Sequence, residues 1–315
     1  MKTDIIQSLI KEIDKVAFLL LKADKWQILA ARLQKQLLTK TDAVQREHIR
    51  DAIDEVTRLG DSLTDEKIAS IINNLQNDLG VAVTEEVASV ITKTQLIAYK
   101  QSYADLSLKF EFNEPNQKAL AWLEEDQMYW VKNRYDDELR QRLLDGAKDV
   151  IQEGQSLEQQ GKNFGALLSD TYKGNKSYWE GLSNHIVTRS REFARVDGYN
   201  EAGITKVEIH AVMDSRTSEI CKALNGKIIE VSVLSKQRDA LMKAKDPEAV
   251  KEIAPFWSDK MTAESFGPLE KAYVDFKNKI KKAIGMEIKK DDLPKGIGMP
   301  PYHYNCRTIT LPVIE

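Results

Sequence analysis

Two cysteines and a histidine are the residues of this chain best suited to chemistry. Cys221 stands apart, and His303 and Cys306 follow as an H-x-x-C pair. Two thiolates and an imidazole are suitable zinc ligands at a usable spacing. A closed structural site needs a fourth donor, for which Asp214 and His210 are the nearby candidates. The same residues admit a metal-free reading: two mostly buried thiols, or a Cys221–Cys306 disulfide formed only after release from the cell. A reducing cytosol opposes an obligatory bond. Either way they would clamp the last β-rich stretch to the helical stretch at 214–224. A further reading gathers Asp214, Arg216, His303 and Cys306 as a catalytic cluster, because a cysteine beside a histidine is the minimum for nucleophilic catalysis. No third orienting group is identifiable. Asp214 as a helix cap and Arg216 as the partner of a carboxylate or carbonyl are the simpler roles.

Cations offer a second kind of chemistry. Arg189, Arg191 and Arg195 share one helical stretch, and 191 and 195 lie one turn apart on one face. Arg191 and Arg195 are candidate contacts to DNA phosphates, whose neutralisation releases counterions. The competing reading is ordinary solvated or ion-paired arginine, with Glu192 and Asp197 close by. Residues 271–295 are lysine-rich, with Lys277, Lys281 and Lys282 as the centre of a candidate DNA-facing or anion-facing surface. A solvated helix face with a loop fits that stretch equally well.

The elements that must position these residues are mostly helical. Apolar residues recur at three- and four-residue spacing through Ile6–Leu20, then Trp26, Leu29, Leu33 and Leu37, then Ile68, Ile71, Leu75 and Leu79. Gly60 and Gly80 read as helix stops, and Thr84 with Glu85 and Glu86 as a new start. After a break at Pro115, a long stripe runs from Leu123 to Val150 and stops at Gly154, with Ser156 and Gln159 as a capping box. A helix over 177–202 ends at Gly203. Beyond it the texture alternates. Residues 206–212 and 227–231 predict strands flanking a helix at 214–224 and an Asn225–Gly226 turn. Helical patterns at 235–253 and 263–285 and a β-rich 307–313 complete the chain. The fold class is therefore α+β overall, with a mainly helical N-terminal two-thirds and a small α+β C-terminal domain. The expected domains are 1–112, 113–180 and 181–315.

The chain of 315 residues is 42% hydrophobic and 30% charged, ample for a buried core, and its net charge of −3 makes any basic surface local. No apolar run approaches the roughly 18 residues of a membrane span. The N-terminus carries no signal-peptide cleavage pattern, so synthesis in the cytosol is expected and no membrane partner is. Walker, Rossmann, HExxH and GxSxG motifs are all absent, which lowers the odds of the common enzyme chemistries.

Three ordered blocks resemble the Mu F-like phage head-morphogenesis family. The first is Ile186-Val187-Thr188-Arg189-Ser190 with Ala194, Asn200 and Gly203, similar to the family's "I-A-R-T-E" helix. The second is Asp214-Ser215-Arg216-Thr217-Ser218-Glu219-Ile220-Cys221 with Leu224-Asn225-Gly226, similar to "D-x-R-T-C-x-x-C…L-x-G". The third is Pro300-Pro301-Tyr302-His303-Tyr304-Asn305-Cys306-Arg307-Thr308, similar to "P-P-x-H-P-N-C-R-C". Ser218 and Thr308 stand where the family has cysteines, and the resemblance implies that those two positions pair in other members. It also implies that Arg189 is an internal hydrogen-bonding residue. With Asp214, Arg216, Cys221, His303 and Cys306, it would clamp the C-terminal domain.

What the resemblance implies for function is a minor head protein of a tailed bacteriophage, without enzymatic activity. It would sit in the virion head, after assembly in the bacterial host cytoplasm. The implied partner is the phage portal protein, with scaffold or major capsid protein and double-stranded DNA as further candidates. No cofactor is expected, zinc apart. The rival classes are a nucleic-acid-binding protein and a metal-dependent nuclease or toxin-like enzyme.

Overall fold

The computed structural model describes residues 2–59, 62–133, 141, 143–146, 157–173, 175–255 and 297–313, of which 2–24 are described as helical backbone only. Lys277, Lys281 and Lys282, the helix expected over 263–285 and the turn at 154–156 lie outside these residues. The described chain is α+β and mainly helical, with one small antiparallel sheet near the C-terminus. Its elements are α1 (Lys2–Leu59), α2 (Asp65–Asp105), α3 (Glu114–Asn133), α4 (Leu157–Lys173), α5 (Asn175–Glu201), β1 (Lys206–His210), α6 (Glu219–Leu224), β2 (Ile228–Glu230), α7 (Val231–Leu241), α8 (Pro247–Ile253) and β3 (Ile309–Pro312).

The helical stripes join into longer elements than their spacing suggested. The two N-terminal stripes are parts of one helix, α1. Gly80 and Thr84 lie inside α2 rather than at a boundary, and Thr84 Oγ1 donates to Gly80 O. A mid-helix glycine costs only about 1 kcal/mol relative to alanine. The buried row through Leu75, Leu79, Val83 and Val87 carries the helix across it. The true start is twenty residues earlier, where Thr64 Oγ1 accepts from Lys67 N and Asp65 and Glu66 supply the acidic first turn. The single helix expected over 235–253 is two, because Asp246 caps α8 through Ala249 N and Pro247 opens it.

Two compact units divide the chain, and neither is continuous in sequence. The helical unit comprises Ala30–Thr94 and Glu124–Ser183. Its core draws Leu33, Leu37 and Val56 from α1, the α2 row, and Phe164, Leu168 and Trp179 from the later helices. The sheet unit comprises Met1–Leu29, Gln95–Leu123 and Asn184–Glu315. Its strands lie in the order β2-β1-β3, with Lys206 opposite Glu230 and Ile209 opposite Thr310. Around them pack Tyr99, Trp122, Phe193, Ile220 and Leu234, all buried.

Two turns fix how the sheet follows α5. Gly203 has φ +69°, and Ile204 N donates to Tyr199 O while Gly203 N donates to Asn200 O, the paired closure of a Schellman end. Gly226, at φ +78°, makes the turn into β2, and Asn225 Oδ1 accepts from Ala211 N to hold that turn on β1.

Candidate functional site

β3 is an edge strand, so alternate residues turn their backbone groups away from β1. A polar row on α5 meets that edge and the segment leading into it. Thr188 Oγ1 donates to Cys306 O at 3.2 Å, Arg191 Nη2 to Thr308 O at 2.7 Å, and Tyr199 OH to Thr310 O at 2.9 Å. Arg195 Nη1 also donates to Thr310 O. Thr310 returns the contact, donating from Oγ1 and N to Glu192 Oε2 at 2.6 and 3.3 Å. Helix residues three or four apart advance about 4.5–6 Å and alternate residues of extended chain about 6.6 Å, near enough for the two rows to stay in step over three rungs. α5 thus takes the place of a fourth strand, using side chains where a strand would use backbone.

The charges on this row balance internally. Glu192 is fully buried, 2.8 Å from Arg191 Nε and 3.6 Å from Arg195 Nη1, and Arg195 lies 3.7 Å from Asp105. Burial pushes the Arg191 pKa down, and Glu192 opposes that push. Arg191 and Arg195, the candidate phosphate contacts, are each 2% exposed. That reading is corrected: their guanidiniums are spent on a strand edge and a carboxylate, neither of which leaves them facing solvent. Arg189 is also buried, beside His185. Burial, and then the Arg189 charge, hold His185 well below its ordinary pKa.

One turn further along the third block, Cys306 N donates to His303 O at 3.1 Å, which folds the H-x-x-C pair back on itself. On α6, Ser218 is the N-cap and accepts from Cys221 N at 3.4 Å. These two local devices bring Cys221 Sγ within 3.3 Å of His303 Nε2 and 3.8 Å of Cys306 Sγ. Burial pushes the Cys306 thiol up, but hydrogen bonds with Cys221 and His303 outweigh it and hold Cys306 well below the ordinary thiol range. Cys221, tied to Cys306 and buried, is pushed far up. The two thiols therefore titrate as a coupled pair.

The other expected members of the clamp sit elsewhere. Asp214 does not cap α6, because Ser218 holds that position. Its carboxylate instead receives both terminal nitrogens of Arg307, at 2.7 and 2.6 Å, and the Arg216 backbone N at 2.8 Å. Arg216 itself keeps a 69% exposed side chain 3.7 Å from Asp214, so the clamping arginine here is Arg307. Neither Asp214 nor His210 joins Cys221, His303 and Cys306 among the described residues. Glu192 is the ion-pair neighbour that the sequence offered for Arg191 and Arg195, whereas Arg307, Tyr199 and Thr310 were not singled out. Arg307 was visible within the third block, whereas nothing local marks Thr310 as an acceptor for two side chains.

Arg307, followed by the Arg216 backbone, holds the Asp214 carboxyl well below the usual carboxylate range. A depressed carboxyl stabilises the fold fully above its unfolded pKa, about 4, and that contribution is lost as pH falls through the folded value. Asp214→Asn is expected to lower the thermal midpoint by a constant amount from about pH 7 to 5, with the gap to wild type closing below about pH 4. Calorimetry of both proteins across that range checks it, and a gap independent of pH contradicts the pairing.

No family model, no curated protein and no solved structure matches this chain.

Proposed function

We propose that this chain is a minor head protein of a tailed bacteriophage, a binding protein rather than an enzyme, that associates with the portal vertex during procapsid assembly. One observation carries the reading. The three sequence blocks that resemble the Mu F-like family fall in one compact unit and touch. Thr188 and Arg191 of the first bond to Cys306 and Thr308 of the third, and Cys221 of the second meets His303 and Cys306 of the third. Contact among the three blocks is what a single terminal module built from them requires. The long helices α1 and α2 supply extended surface for subunit contacts. No described helix is long and apolar enough to cross a membrane.

In this reading the portal protein is the first partner, and scaffold or major capsid protein are further ones. The protein resides in the virion head, having assembled in the host cytoplasm. With Arg191 and Arg195 committed internally, any contact with double-stranded DNA falls to other residues, the lysines at 277, 281 and 282 being the sequence's candidates. Co-expression with the portal protein of the same genome, followed by sizing at micromolar concentration, tests the proposal. A co-migrating complex is expected. Separate migration of two folded proteins would count against it, and salt-sensitive binding of DNA by the chain alone would favour the nucleic-acid-binding rival.

A further inference from the structure

We propose that Cys221, His303 and Cys306 are a zinc site with three protein ligands and a fourth position open to solvent. Zinc holds thiolates at about 2.3 Å and imidazole nitrogens at about 2.0–2.1 Å in tetrahedral geometry. Those lengths place two thiolates about 3.8 Å apart and a thiolate and a nitrogen about 3.6 Å apart. The observed separations are 3.8 Å between the sulfurs and 3.3 Å from Cys221 Sγ to His303 Nε2. All three ligand atoms lie within 4.8 Å of one another, so they converge on one small volume. A disulfide, by contrast, needs its sulfurs at about 2.05 Å.

The ligand set also selects the metal. Soft thiolates with one imidazole favour zinc over magnesium or calcium, which take oxygen ligands. Both cysteines are buried, while His303 is partly exposed, so the vacant position opens on the histidine side. Neither local device explains the convergence alone. The turn at His303 and the cap at Ser218 orient ligands from segments 82 and 85 residues apart toward one point. A metal there joins α6 to the segment that leads into β3. Binding displaces the thiol protons into solvent, so affinity rises with pH. The site stands independently of the portal reading, because its test involves the purified chain alone.

The full chain, purified under reducing conditions without chelator, is expected to carry about one zinc per chain by elemental analysis. Cobalt added to the metal-free protein is expected to give the intense visible bands of tetrahedral coordination with thiolate charge transfer. Those bands should saturate at one equivalent and be displaced by zinc. His303→Gln is expected to weaken cobalt binding at least about tenfold, since loss of a mere outer-shell partner already costs that much. Should the variant fail to fold, the wild-type cobalt spectrum decides by itself. Weak octahedral bands, binding far below one equivalent, or a Cys221–Cys306 disulfide in the freshly purified protein each overturn the proposal.

Discussion

Replacing Glu192 with alanine is expected to destabilise the sheet unit by about 3–5 kcal/mol, the range for removing one partner of a buried ion pair. A neutral hydrogen bond contributes about 1 kcal/mol, so hydrogen-bond counting alone predicts a smaller loss. The charge decides. Without Glu192, Arg191 loses its ion-pair partner in the interior, Arg195 keeps only Asp105 at 3.7 Å, and Thr310 loses the acceptor for both its hydroxyl and its amide. Glu192→Gln keeps the shape and part of the hydrogen bonding, so its loss should fall between wild type and alanine. Urea unfolding reads the result as a lower midpoint at unchanged slope. A Glu192→Ala loss below about 1 kcal/mol would show that the carboxylate does not hold the two arginines together.

Phe193→Ala should cost about 3–5 kcal/mol, for a different reason. Phe193 is fully buried and stacks on Trp122, with centroids 5.1 Å apart and planes 8° from parallel. Truncation removes that contact and leaves a cavity against Trp122. Phe193→Leu refills most of the volume and should retain most of the stability. Ile28→Ala, at a residue 59% exposed, is the control and should change stability by less than about 0.5 kcal/mol. Equal losses for Phe193→Ala and Ile28→Ala would mean that Gln95–Leu123 does not pack on α5.

Much of the fold was legible in the sequence because it rests on local signals. The alternation at 206–212, the glycine at 203 and the Asn225–Gly226 pair each act through the backbone of their own neighbourhood, and each marks a real element or turn. The stripes through Leu33 and Leu37 and through Ile68 and Leu75 are buried as their spacing predicted. Helix ends were harder. Ser107 closes α2 at φ +59° in a conformation usually left to glycine, so no residue type announced that stop. Gly80 misled in the opposite direction, because burial on both sides of it outweighs its modest helix cost.

The site divides in the same way. The approach of Cys221, His303 and Cys306 was anticipated from residue chemistry and from the resemblance, since soft ligands are scarce in this chain. The ladder on α5 was not. A helix face bearing Arg191, Glu192 and Arg195 has the pattern of a solvated surface, and spacing cannot say whether a polar row meets water or the bare edge of a strand 115 residues away. Only the three-dimensional register of Cys306, Thr308 and Thr310 with successive turns of α5 reveals which.

The Thr310 amide tests that register most directly. It points away from β1, and on an uncovered edge it would exchange with solvent within seconds to minutes. The interlocked unit described here predicts hydrogen exchange at Thr310 as slow as at Ile209, whose amide lies inside the sheet and donates to Lys227 O at 2.7 Å. Fast exchange at Thr310 beside a protected Ile209 would mean that α5 does not cover β3, and the contact joining the first and third blocks would be lost with it.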